Sequence, residues 1–141
     1  MGEWSAQDTD DGDFERFFKK LPEYEQAVLE AAVTHVLERL GIDICTTEWG
    51  KSLGGGLYEF RVRRSLTAIL RAYGTSDSFI TVDAGRQVLL RVFCTFYGAK
   101  VILLLGGYDK RRDASSKRQQ REIQRARKRL ARWRSRPIAE H

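Results

Sequence analysis

The sequence predicts an α+β domain: a small antiparallel sheet packed by an N-terminal helical hairpin and a basic C-terminal helix. Three observations lead there. Apolar residues alternate with polar ones through 57–63 and 88–97, and a continuous apolar run fills 101–105. Helical spacing governs the first forty residues and the last thirty. The charge is segregated: residues 1–40 hold four Lys or Arg against ten Asp or Glu, residues 41–108 eight against five, and residues 109–141 thirteen against four. The segments therefore carry −6, +3 and +9 within an overall +6. Such asymmetry points to nucleic acid, an acidic membrane surface or an acidic protein as partner of the C-terminal part; the plain alternative is a solvated charged helix.

At 141 residues the chain fits one small domain with tails. The start, Met1 to Asp13, is acidic and has no apolar run, so no secretory signal is expected, and no segment is long and apolar enough for a membrane span. A cytoplasmic protein is expected. Cys45 and Cys94 then read as reduced thiols, and with His35 and His141 far apart, neither a metal site nor a cofactor is expected.

Residues 1–12, rich in Asp, Gly and Ser, read as a disordered acidic tail. Asp13 is placed to cap a short helix through Lys20 whose apolar side is Phe14, Phe17 and Phe18. Pro22 suits the first position of a second helix, in which Leu29, Val33, Val36 and Leu40 recur at i, i+4, i+7 and i+11 before Gly41. The two helices form a hairpin whose apolar faces need a sheet to cover.

Gly50 to Gly56 reads as a loop. In the strand Leu57–Arg63, Tyr58, Phe60 and Val62 point one way and Glu59, Arg61 and Arg63 the other. In Val88–Tyr97, the even-numbered residues form one face, leaving Arg91 and Thr95 on the opposite one. Gly98-Ala99 makes a two-residue hairpin into Lys100–Leu105. Arg61 and Arg91 are thus expected to share an exposed face of neighbouring strands. Between these strands, residues 64–86 form an insertion: Leu66–Tyr73 fits a strand or a short helix, Gly74–Ser78 a turn, and Phe79–Val82 a strand, the whole being a flap over the arginines or an extra hairpin.

The last helix spans about Ser115 to Arg134, capped by Ser115 or Ser116, with residues 135–141 as a tail. Ile123, Ala126, Leu130 and Trp133 make one packing stripe, while Arg121, Arg125, Lys128 and Arg132 occupy wet azimuths. Ahead of it, the apolar run breaks at Gly106-Gly107 and empties into Tyr108-Asp109-Lys110-Arg111-Arg112. A buried strand delivers cations to one edge, an arrangement suited to gripping phosphates.

The ordered segments Gly-Gly-Leu-Tyr-Glu-Phe-Arg-Val, Leu-Leu-Arg-Val-Phe and Val-Ile-Leu-Leu-Leu-Gly-Gly-Tyr-Asp-Lys, followed by a basic helix with Arg121-Glu122-Ile123 and Ala126-Arg127, resemble the RelE/HigB-like toxins of bacterial type II toxin–antitoxin systems. The resemblance covers roughly 13–134, interrupted by 64–86. It implies a small twisted antiparallel sheet of RelE-like fold. It also implies an endoribonuclease (mRNA interferase) that inhibits translation by cutting ribosome-bound mRNA, held in check by a cognate antitoxin carrying a DNA-binding, helix-turn-helix module. The ParE branch uses the same fold to poison gyrase, and a non-catalytic RNA- or ribosome-binding module is a further alternative.

Metal-independent RNA cleavage by a ribose 2′-hydroxyl needs proton removal, stabilisation of the phosphorane's charge, and protonation of the leaving oxygen. The resemblance places Arg91 as phosphate or transition-state stabiliser, Arg61 in support, and Lys110 within reach of the scissile phosphate. Tyr108 is a candidate for stacking on a base or positioning substrate, and Asp109 a weaker acid–base candidate. The general base stays open among Lys110, Lys117 and Asp109, because His35 falls on the second helix and His141 in the tail. Lys51, Arg63, Arg111, Arg112, Lys117, Arg121, Arg125 and Lys128 complete the expected RNA-binding set.

Overall fold

The structure is a computed structural model that describes residues 3–74 and 85–136. It is α+β, with the element order β1 (Ser5–Asp8), α1 (Asp13–Lys19), α2 (Glu23–Ala32), α3 (Glu38–Leu40), β2 (Gly50–Gly54), β3 (Leu57–Val62), α4 (Leu66–Tyr73), β4 (Leu90–Tyr97), β5 (Val101–Asp109) and α5 (Ser116–Arg134). Among the described residues one five-stranded sheet runs β1-β5-β4-β3-β2. It is mixed rather than antiparallel, because β1 pairs parallel with β5, Ser5 opposite Val101 through Asp8 opposite Leu104.

That pairing corrects the reading of residues 1–12 as a disordered tail. Trp4 N–H bonds the Glu38 carbonyl, Ala6 N–H bonds the Glu38 carboxylate, and the Trp4 ring meets Phe96 edge-on at 5.3 Å. Nor does Asp13 cap α1. Asp8 accepts the orphan N–H groups of Phe14 and Glu15, while Asp13 is buried inside the first turn. Pro22 sits one position outside α2, at the cap, and the helix passes through a π-helical turn, Val33–Leu37, into α3. Gly41, at φ 55, ends it.

Gly50 to Gly56 is no simple loop. It contains β2, which pairs antiparallel with β3. The β4–β5 turn spans three residues, since Tyr97 faces Val101 and Lys100 adopts φ 61. Ser65 caps α4 by accepting the Ala68 N–H, which resolves Leu66–Tyr73 as a helix. Its buried Ile69 joins the core on the α2 side, so this part of the insertion is not a flap over the arginines. The expected strand Phe79–Val82, and the turn beyond Gly74, lie outside the described residues.

Each face of the sheet has its own core. Phe60, Val62, Leu90, Val92, Ile102 and Leu104 meet the α1–α2 hairpin, with Leu29, Val36 and Leu37 fully buried. Leu57, Phe93, Leu103 and Leu105 meet Ala126 and Leu130 of α5, the stripe its periodicity predicts. Ser115 caps α5 through the Arg118 N–H.

The rest of α5 is less wet than its composition suggests. Arg127 and Arg134 donate to the carbonyls of Leu53 and Gly54 at the end of β2 and of Gly55 in the β2–β3 turn. Arg129 and Arg132 pair with Asp13 and Asp11, and Arg136, from the expected C-terminal tail, pairs with Asp10 and Asp11. Charges segregated along the chain are thus neutralised in space, the acidic N-terminal segment lying against the basic helix. Among the described residues no helix is long and apolar enough to cross a membrane.

Candidate active site

The cation-bearing residues reach one place through strand register and one irregularity. Arg61 stands directly opposite Arg91 across β3–β4, and Arg91 opposite Tyr108 across β4–β5, so the three form one rung over three strands. Strict alternation would not bring Tyr108 there. From Leu103 and Leu105, which face α5, the next residues on that face would be Gly107 and Asp109. The register instead pairs Val92 with Gly107 but Cys94 with Leu104, so β5 carries one extra residue, a bulge in which Gly106 adopts φ 102. The bulge flips the alternation and turns Tyr108 and Lys110 toward the arginines. The Gly-Gly at which the apolar run breaks therefore re-aims the strand rather than ending it. Gly107 also allows close approach: a Cβ there would stand 2.3 Å from the Arg91 carbonyl oxygen.

Beneath the rung lies Glu59, fully buried. Its Oε1 accepts Arg61 Nε at 2.8 Å and lies 3.9 Å from Arg91 Nε. Arg91 is the correction to the expected exposed pair. It is 4% exposed, whereas the Arg61 side chain is 25% exposed with its terminal nitrogens beyond the Glu59 contact. Among the described residues Arg91 Nη1 bonds only the Leu90 carbonyl, and Arg91 Nε, Glu59 Oε2 and the Tyr108 hydroxyl are buried with no hydrogen-bond partner. Buried polar groups are ordinarily satisfied, so three orphans in one cluster mark it as unusual. The Tyr108 ring stacks on Phe93 and lies under the Arg118 guanidinium at 5.2 Å.

The electrostatics follow from this crowding. Burial lowers the Arg91 pKa, Glu59 partly restores it, and Arg61 and Arg63 lower it further. Burial, then the Glu59 charge, raises that of the Tyr108 hydroxyl, which stays a neutral donor. Lys110 is lowered by burial first and then by Arg91, with Arg61 and Arg63 adding to the effect. An ammonium with a lowered pKa releases its proton more readily than an ordinary lysine's. The group offers cations able to meet phosphate charge, a neutral hydroxyl donor, and a lysine beside them whose pKa is lowered.

The other expected residues divide by surroundings. Lys51 is exposed on β2 opposite Glu59, and Arg63 is exposed just past β3, turned toward Glu48. Asp109, thrown to the far side by the bulge, accepts the Arg111 N–H and pairs with Arg112 at 3.7 Å, which leaves it outside the rung. Arg111 donates to the Gln87 carbonyl, and Arg125 pairs with buried Glu122. Lys117, Arg121 and Lys128 are exposed along α5. His35 lies in the opposite helical layer. Three members escaped the sequence reading: Glu59, Glu122 and Arg118. For Glu59 the signal was present, since it precedes Arg61 by two in a strand and must share its face; its burial was not legible. Among the described residues no group of three His, Cys, Asp or Glu side chains is arranged to hold a metal ion. Compared with known proteins, the chain matches no family model, no curated protein and no solved structure.

Proposed function

We propose that this chain is a metal-independent endoribonuclease of RelE/HigB type, the toxin half of a type II toxin–antitoxin pair, acting on ribosome-bound mRNA in the cytoplasm. The observation that carries the reading is the Arg61–Arg91–Tyr108 rung, with Lys110 beside it and buried Glu59 behind it. The element order also supports it: a strand, a helical hairpin, a meander, then a basic helix on the opposite face. Arg61 and Lys110 meet the scissile phosphate, since Arg91 is buried; Arg91 holds the field from behind and Tyr108 closes the site's inner wall. Lys110 serves proton transfer, and the ribosome aligns the 2′-hydroxyl with the phosphorus. The antitoxin, with its helix-turn-helix module, neutralises the toxin by covering this cationic edge.

The test is a reconstituted translation reaction containing chelator, in which the message is probed for breaks ending in 2′,3′-cyclic phosphate. Cuts by the native chain that vanish in Lys110→Ala and Arg61→Ala are expected. An intact message alongside damaged DNA in expressing cells would favour a gyrase target instead.

A further inference from the structure

Around the edge of β5 from the rung lies a cleft of about 280 Å³ between α1 and α5. From α5, Arg118, Glu122, Arg125 and Arg129 face it at i, i+4, i+7 and i+11; from α1 Arg16 and Phe17 do, with Lys20 at the helix's C-terminal cap. Six cations line it against three carboxylates, and those carboxylates are already shared. Glu122 holds Arg118 at 2.7 Å and Arg125 at 3.3 Å, while Asp13 holds Arg16 at 2.6 Å and Arg129 at 3.3 Å. Lys20 pairs with no carboxylate among the described residues, and Arg112 reaches Asp109 only at 3.7 Å. A concave surface with surplus positive charge focuses its field on an anion.

Two further features make this more than a charged surface. β1 pairs with β5 only as far as Leu104, so beyond it the outer edge of β5 has no strand neighbour among the described residues; Arg129 takes the Leu105 carbonyl there, and Gly107 presents bare backbone to the cleft. The wall also includes Tyr108, whose buried hydroxyl has no partner among the described residues and which belongs to the rung. The cleft and the rung therefore share a wall.

We infer that this cleft is a second phosphate subsite, holding a neighbouring nucleotide of the same RNA strand while the scissile phosphate lies at the rung. The inference rests on the proposed nuclease function. Lys20, Arg112 and Arg125 contact the phosphate, and Phe17 offers an aromatic surface to the base. A free nucleotide carries the same chemistry, so the test must separate the two sources.

The experiment is fluorescence anisotropy of a labelled single-stranded RNA octamer over a salt series. It compares the native chain, the cleft variant Lys20→Ala/Arg112→Ala and the rung variant Arg61→Ala, each first shown to fold by circular dichroism. The cleft variant should lose about tenfold in affinity, and its log–log salt slope should shrink by about 0.7, the value for one phosphate contact on a single strand. Unchanged affinity and slope would overturn the subsite. Adenosine monophosphate equimolar with the RNA should not displace it; displacement would make the cleft a free-nucleotide pocket and overturn the assignment. Weaker binding by the cleft variant of a chain that makes no cuts would remove the nuclease and keep the subsite. Cuts that need Arg61, with binding untouched by the cleft variant, would do the reverse.

Discussion

Replacing Glu59 by Gln isolates the electrostatic design of the rung. The side chain is fully buried, and its charge is the nearest compensation for Arg91, which is almost as buried, at 3.9 Å. The substitution preserves volume and leaves an amide oxygen able to accept Arg61 Nε, so the loss is chiefly the charge. Removing one member of a buried ion pair strands the other, at a cost of about 3–5 kcal/mol. For a domain of this size, that lowers the melting temperature by about 10–20 °C. Urea unfolding followed by circular dichroism gives the free-energy change, and Glu59→Gln/Arg91→Met should recover much of it, because the stranded guanidinium is then gone. A shift under about 1 kcal/mol in the single variant, or no recovery in the double, would refute the view that Glu59 compensates Arg91.

Gly106→Ala should cost about 1–3 kcal/mol, because φ 102 is strained for any side chain and the new Cβ would stand 2.4 Å from Arg129 Nη1; its unfolding midpoint checks this. Moving the bulge should also turn Tyr108 off the rung, so RNA cleavage should fall further than stability explains. Because burial and its arginine neighbours lower the Lys110 pKa, acetylating reagents at mildly alkaline pH should modify it faster than free lysine, as read by mass spectrometry, and bound RNA should slow the reaction. Glu25 is lowered mainly by its hydrogen bond from Arg86, so its contribution to stability is present at neutral pH and lost as pH falls through its lowered titration range. Arg86→Ala should shrink that acid-side loss in urea midpoints measured across pH.

Strands β3, β4 and β5 were legible because alternation and apolar runs report burial directly. The cap and packing stripe of α5 were legible because they follow helical geometry. The facing of Arg61 and Arg91 followed from parity. β1 was hidden because Ser5–Asp8 is four residues long at the sheet edge, carries no apolar alternation, and is held by backbone pairing and a neighbouring Trp4. β2 was hidden because its glycines signal a turn, and they serve both the strand and the hairpin. The bulge could not be read either: Gly106-Gly107 announces an irregularity but not which residues it re-aims. Most of all, composition marks α5 as a polycation without showing that Arg127, Arg129, Arg132 and Arg134 are engaged in holding the fold together. Lys117, Arg121 and Lys128, exposed along the helix, and Arg125 at the cleft are its candidates for an external partner.

The most direct measurement is a transcriptome-wide map of new RNA 5′ ends minutes after induced expression, comparing the native chain with Arg61→Ala and Arg91→Lys. New ends confined to translated regions, in phase with codons, lost in Arg61→Ala and sharply reduced in Arg91→Lys are the predicted result. Growth arrest with no new ends, or an undiminished pattern in Arg61→Ala, would contradict the nuclease assignment or the place of the rung within it.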